Sequence, residues 1–377
     1  MQCANYKIAI ISAFRNACLA IGLTLLPSKN VGQPNNSLGT LFVCSGLDPF
    51  TDQLASCERR ESGYFIVQPC VKLGMKNMSQ HEMFLEEGYL TFFEQLSCMS
   101  YGHNSLGFLS RSMLTLICDL LKLSPNEIQI GLNQSTKQYA DAFHQFGIPA
   151  KNITTTTSNE VLSADGGKLE GGVIQVNLPF PRNNPSGLLE ICDFGVLRYD
   201  KIELIDFGAS IERLAMVAQN LSSLSLLEDI RPIEEALAKI EFPLERLRVG
   251  SDHVRTVAYL VASGIRPDNK MRGYALRSLL RQILWTYWSS QQNFAAFCSP
   301  LLWANVPNCI IETNAQECAL IAQEEIRRLD QIINNGKSRI KRLLKKGWIT
   351  ENERGNLQET HGVPRQIIET LIKLMAA

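Results

Sequence analysis

The stretch KIELIDFGASIERLAMVAQN, residues 201–220, brings Asp206, Glu212 and Arg213 to one strand-to-helix junction. Alternation of Ile202, Leu204 and Asp206 suits a short strand, and Gly208 suits a turn after it. Ile211, Leu214 and Val217 then recur at helical spacing behind Ser210, a residue type that caps helix N-termini. Charge at such a junction needs a partner or a ligand, because burying it unpaired is costly. Two readings follow: a structural ion pair at the helix entrance, or groups that await a ligand.

The elements expected to position these residues are mixed. Residues 1–25 carry a helical pattern through Ile8, Ile11, Phe14, Cys18 and Ile21. After the loop SKNVGQPNNSLG, the segments TLFVCSG, YFIVQPCVKLG and YLTFFEQLSCMSYG read as strands, the last two joined by a long polar connection over residues 76–88. Residues 109–122 and 134–147 read as helices, and GGVIQVNLPF and LLEICDFGVLRYD return to strands. This order lacks the βαβ rhythm of a doubly wound fold. From about Leu221 the chain turns helical: SDHVRTVAYLVASG stops at Gly264, NKMRGYALRSLLRQILWTYW continues the pattern, and residues 314–335 form a charged amphipathic helix. The expected fold class is α+β: an antiparallel sheet with flanking helices over residues 1–220, then an all-helical domain over residues 221–377.

With 45% hydrophobic and 20% charged residues, the 377-residue chain is globular rather than disordered. Zero formal net charge excludes strong whole-molecule attraction to nucleic acid or anionic membrane. Residues 251–377, however, hold 17 Lys/Arg against 11 Asp/Glu, so an anionic partner is expected there. Eleven cysteines form no CxxC pair and no zinc-like spacing with a histidine, and no metal site is expected from them. With no signal peptide and no bilayer-length apolar run, they read as reduced thiols of a cytoplasmic protein that avoids the membrane. The five histidines are scattered, and His253 reads as a capping or packing residue.

Longer blocks carry a family resemblance. SDHVRTVAYLVASGIRPDNKMRGYALRSLLRQ resembles the alanyl-tRNA synthetase segment that runs ADH-I-R, ADG-P-S-N and RGY-LRR-LRR. LFVCSGLDPFTDQ, CVKLGMKN, TFFEQLSCMSYG, LEICDFGVLRY, DFGASIER, EEIRRLDQIINNG and HGVPRQIIETL resemble further family blocks in the same order, over about residues 7–375. The resemblance stops where the family's editing and C-terminal domains would begin. It implies a class II synthetase catalytic domain followed by a helical domain for the tRNA acceptor stem. The implied reaction uses ATP and Mg2+ to convert an amino acid into an aminoacyl-adenylate, then transfers the acyl group to tRNA.

By the same resemblance, Arg213 is the arginine that lies against the adenine and γ-phosphate of ATP, with Glu212 fixing it. Asp206 holds the amino acid's α-ammonium group. Lys72 takes the place of the arginine that grips the α-phosphate, keeping a positive charge without the bidentate fork. Lys76 keeps a loop lysine, and Phe93 the ring that stacks on adenine; read alone, Lys76 is a solvated lysine and Phe93 a core residue. A second basic pair falls on Gly88 and Tyr89. The pocket tryptophan falls on Leu162, and LEGGVIQVNL replaces a GPCGPC segment together with its acidic residue. In the amino-acid pocket, an asparagine becomes Asp193 and a valine becomes Gly195. This pair of changes is expected to enlarge the pocket and to suit a larger or cationic amino acid.

On the tRNA side, Asn269 keeps the acceptor-stem asparagine, while its partnering aspartate falls on Gln366. Arg272, Arg277 and Arg281 are placed to touch phosphates or to form a solvated helix face. The basic run Lys337, Arg339, Lys341, Arg342, Lys345 and Lys346 admits the same two readings. Two functions compete. One is an alanine–tRNA ligase-like enzyme whose acceptor is tRNA, a carrier protein or a small molecule. The other is a pseudo-synthetase that binds tRNA, an amino acid or a protein partner without catalysis.

Overall fold

Runs of β-branched and aromatic residues, punctuated by turns, pair into one sheet in the computed structural model, which describes residues 5–34, 38–55, 63–73, 88–101, 105–158, 161–181, 187–307, 311–346 and 348–376. The chain divides into two compact units, Gln2–Arg231 and Pro232–Ala377. The first unit holds helix α1 (Asn5–Ala20), strand β1 (Thr24–Leu25), α2 (Leu47–Ala55), β2 (Tyr64–Val71), β3 (Phe92–Tyr101) and α3 (Ser105–Leu121). After these come β4 (Gln129–Leu132), α4 (Ala140–Phe146), β5 (Ile153–Thr155), β6 (Leu162–Ala164), β7 (Leu169–Phe180), β8 (Gly187–Tyr199), β9 (Ile202–Ser210) and α5 (Ile211–Ala218). The strands form a sheet in the order β1-β2-β3-β9-β8-β7-β4-β5, with β6 on β7. Pairing is antiparallel except at β1–β2 and β4–β5.

Register decides which side chains face which layer, since alternate residues of a strand point to opposite faces. On the back face, Phe65, Leu96, Cys98, Phe194 and Phe207 pack under α1, α3 and α5 in the larger core. Phe207 lies between Phe14 and Phe194, with ring centroids at 6.3 and 5.3 Å. On the front face, Tyr64, Ile66, Met99, Leu197 and Leu204 form a second cluster with Leu47, Phe50 and Leu54 of α2. The two-sided cover explains why β2 is buried along its whole length and reads as a continuous apolar run.

Two local expectations change. TLFVCSG is not a strand: Val43 makes an isolated bridge, donating to Val31 O and accepting from Val71 N, both at 2.9 Å. Gly208 is not a turn: β9 continues through it to Ser210, and α5 starts at once. Gly208 serves the sheet instead, because a Cβ there would lie 2.4 Å from Gln95 Nε2 and 2.8 Å from Asp193 Oδ1.

Behind the sheet a buried ion cluster joins α1 to the strand-to-helix junction. Lys7, 1% exposed, reaches Glu94 Oε2 at 2.8 Å, Glu212 Oε1 at 3.0 Å and Asp229 Oδ2 at 2.6 Å. Glu212 also accepts the Glu94 backbone N–H and the Ser210 hydroxyl. Ser210 in turn caps α5, accepting from Arg213 N at 3.3 Å.

The second unit is helical: α6 (Arg231–Lys239, which begins on the last residue of the first unit), α7 (Leu247–Ala262), α8 (Met271–Gln291), α9 (Pro300–Trp303), α10 (Ala315–Leu344), α11 (Glu351–Glu359) and α12 (Arg365–Ala376). Helix α7 is buried on nearly every side, His253 included, and burial pushes that imidazole down to about 4. The charged segment and the basic run merge into the single 30-residue α10, capped by Asn314. No helix among the described residues is long and apolar enough to cross a membrane.

Candidate active site

The front face of the sheet is covered by α2 over one half and left open over the other. The open half is a cleft of about 1010 Å³, the size of a pocket for a nucleotide and a small ligand. Lys72 at the end of β2, Phe93 of β3, Asp193 of β8 and Arg213 of α5 all line it. Lys72 is anchored through its backbone, with its N–H on Thr91 O at 2.8 Å and its carbonyl accepting from the Tyr89 hydroxyl. Phe93 is half-buried, one side in the cleft and the other against the larger core.

Arg213 is held in place by three acceptors. Its Nε donates to Gly88 O at 2.7 Å, and Nη1 donates to Glu190 O at 3.0 Å and Glu190 Oε1 at 3.3 Å. Gln175 Nε2 donates to the other Glu190 oxygen at 3.0 Å. Gly88 makes this possible, since a Cβ there would meet Leu189 Cδ1 at 2.6 Å and Arg213 Nε at 3.3 Å. Glu190 and Gln175 are cleft residues that sequence reasoning did not single out. The signal was their place on paired strands of opposite direction, visible only once the register is known.

Asp193 and Asp206 stand diagonally on β8 and β9: Asp193 pairs with Gly208, and Asp206 with Gly195. Diagonal neighbours on one sheet face lie within reach of each other's charge. Burial, then the Glu190 charge, hold Asp193 up at about 7, against the pull of Arg213 and Lys72. Burial, then Asp193, hold Asp206 well above the usual carboxylate range. Asp206 Oδ1 is sealed from solvent without a hydrogen-bond partner. Asp206 is not itself a lining residue of the cleft, and neither is Gly195.

At Gly195 the nearest neighbour is Leu197 of the same strand. A Cβ there would lie 3.1 to 3.3 Å from three Leu197 side-chain atoms. Glu212 stands apart from the cleft lining, buried in the Lys7 cluster behind the sheet, and bears on Arg213 through the Ser210 cap. Lys76 lies outside the described residues, as does the side chain of Gln366. Leu162 packs beside the front cluster.

The residues present fit the groups the resemblance implies. Lys72 and Arg213 offer positive charge to a triphosphate, and Phe93 offers a ring face to a base. Among the described residues no three acidic, histidine or cysteine side chains gather as a metal cage. Magnesium characteristically binds through one or two carboxylates plus substrate phosphates, which suits Glu190.

In the second unit, Asn269, Arg277 and Arg281 belong to one network. Glu325, 1% exposed, accepts from Arg277 Nε at 3.0 Å, from Arg281 Nε and from Arg328 Nη1 at 3.1 Å. Arg277 also donates to the exposed Asn269. Burial would raise the Glu325 carboxyl, but Arg281 and Arg277 keep it below its ordinary value. Two of the three arginines are thus tied into a structural ion cluster. Arg272 lies on the first turn of α8, half-buried. The basic side chains of 337–346 are all exposed at the C-terminal end of α10.

Residues 197–375 match the family described as tRNA synthetases class II (A). The alanine–tRNA ligases of Shewanella loihica and Shewanella amazonensis are each 24% identical over 313 residues, covering 73% of this chain. The chain spans 35% of the length of these curated relatives. Among solved structures, apo histidyl-tRNA synthetase of S. aureus aligns at a TM-score of 0.38 and 12% identity, over 65% of this chain and 81% of that one. A pyrrolysyl-tRNA synthetase of Desulfitobacterium hafniense aligns at 0.36 and 12% identity, over 58% and 70%.

Proposed function

We propose that this chain, matched over residues 197–375 by the class II (A) tRNA synthetase family and 24% identical to alanine–tRNA ligases over 313 residues, activates an amino acid with ATP and passes the acyl group to an acceptor, tRNA first among the candidates. The observation that carries this reading is the gathering of Lys72, Phe93, Asp193 and Arg213 around one cleft. Attack of a carboxylate on the α-phosphate needs little covalent help; it needs alignment and positive charge where negative charge develops. Lys72 and Arg213, far apart in sequence, supply that charge, and Phe93 supplies a stacking face. Bound Mg2+ would neutralise phosphate charge, with Glu190 as its protein ligand. Asp206 would take the amino acid's α-ammonium group, and Asn269 and Arg272 would meet the acceptor stem.

ATP–pyrophosphate exchange over a panel of amino acids, with and without tRNA, tests this. Amino-acid-dependent exchange is the expected result, and none with any amino acid overturns it. One observation favours a second reading, a binding paralogue without catalysis: Arg213 already spends two nitrogens on Gly88 and Glu190, and Lys72 lacks a guanidinium fork. Exchange gained by Lys72→Arg in a silent wild type would mark that outcome.

A further inference from the structure

We infer that the amino acid this cleft selects is a diamino acid, carrying a side-chain ammonium to Asp193 in addition to the α-ammonium at Asp206. The inference rests on the proposed amino-acid site and names its substrate class. Three observations carry it. Asp193 and Asp206 share one face of β8 and β9, and neither has an ion-pair partner among the described residues. The nearest cations, Arg213 and Lys72, act on Asp193 through space, while the carboxylate Arg213 binds is Glu190. One strand further on, beside Gly208, a buried hydroxyl is also unpaired. Ser97, 1% exposed, faces Gly208 across β3 and β9, and its hydroxyl has no partner.

One ammonium group would leave this floor with a surplus negative charge. A single α-ammonium satisfies Asp206, and Asp193 would remain a desolvated carboxylate beside Glu190, which is costly. A second ammonium removes that cost. The raised Asp193 and Asp206 carboxyls agree with a floor that lacks its cation. Binding of a dication should therefore release protons and tighten as pH rises through about 7.

Calorimetry on the full chain tests this, titrating 2,3-diaminopropionate, 2,4-diaminobutyrate, ornithine and lysine against alanine, serine and norleucine, with exchange measured in parallel. At least one diamino acid should bind about tenfold or more tighter than every neutral one, with proton release. Asp193→Asn should remove that preference and the proton release. Tighter binding of a neutral amino acid, or a preference unchanged in Asp193→Asn, overturns the inference. So does Mg2+ alone binding at Asp193, shown by metal titration of wild type against Asp193→Asn. Exchange with neutral amino acids only sinks the diamino assignment and keeps the ligase. Diamino binding without exchange does the reverse.

Discussion

Arg213 and Asp193 show how much single side chains decide here. Arg213 is fixed by backbone carbonyls and Glu190, so its guanidinium meets a ligand without searching for its position. Arg213→Ala should lower exchange by about 10²- to 10³-fold, the loss typical of removing one preorganised charge. Arg213→Lys should rescue little, since lysine lacks the planar fork whose separate nitrogens reach Gly88 and Glu190. Asp193 gives a pH signature. Its carboxyl ionises near 3.8 when unfolded and about 7 when folded, so between those values only the unfolded chain releases the proton. Stability then falls as pH rises through that window and stays reduced above it. Asp193→Asn should raise Tm near pH 8 and leave it nearly unchanged near pH 4; equal shifts at both would contradict the assignment. At this scale Lys72, Phe93, Asp193 and Arg213 were legible in the sequence as site candidates. Glu190 and Gln175 were not, because their value comes from a side-chain contact between two paired strands.

At the scale of elements, helices and most strands followed from periodicity. The failures have physical causes. TLFVCSG has strand composition, yet it pairs with no strand as a ladder; Val43 makes an isolated bridge to Val31 and Val71. Gly208 signalled a turn, but in β9 its bare Cα lets Gln95 and Asp193 close over the strand. At Gly195 the close neighbour is Leu197, two residues along on the same face of β8, a contact that strand alternation makes visible. Glu212 pairs with Lys7, 205 residues earlier in the chain, beyond any local rule. That cluster makes a sharp prediction: Lys7→Met should cost about 3–5 kcal/mol in urea unfolding, because it strands buried carboxylates. Ser210→Ala should cost about 1 kcal/mol as a lost cap and lower exchange modestly by loosening the Arg213 turn.

For the whole molecule, zero net charge hides a division of labour. The exposed basic run at the end of α10 belongs to the second unit, while the acidic excess lies in residues 1–250. If tRNA is the acceptor, replacing Lys337, Lys341 and Lys345 by Glu should weaken its binding and flatten the dependence of log affinity on log salt. An unchanged slope would assign the run to solvation. His253 gives the second unit its own acid limit. Held near 4 by burial against 6.5 unfolded, it stays neutral while the unfolded chain takes up a proton, so stability is lost as pH falls through that interval. Its ring resonances should hold their neutral positions down to about pH 4.

The first helix also has a fate set by its lysine. Fraying of α1 would expose Lys7 and abandon Glu94, Glu212 and Asp229 inside hydrocarbon, so the helix has no inexpensive way to open by itself. Its central amides should exchange with deuterium only as slowly as those of β3 and β9. An N-terminal segment that ordinarily breathes is, in this chain, bolted to the arginine's own turn.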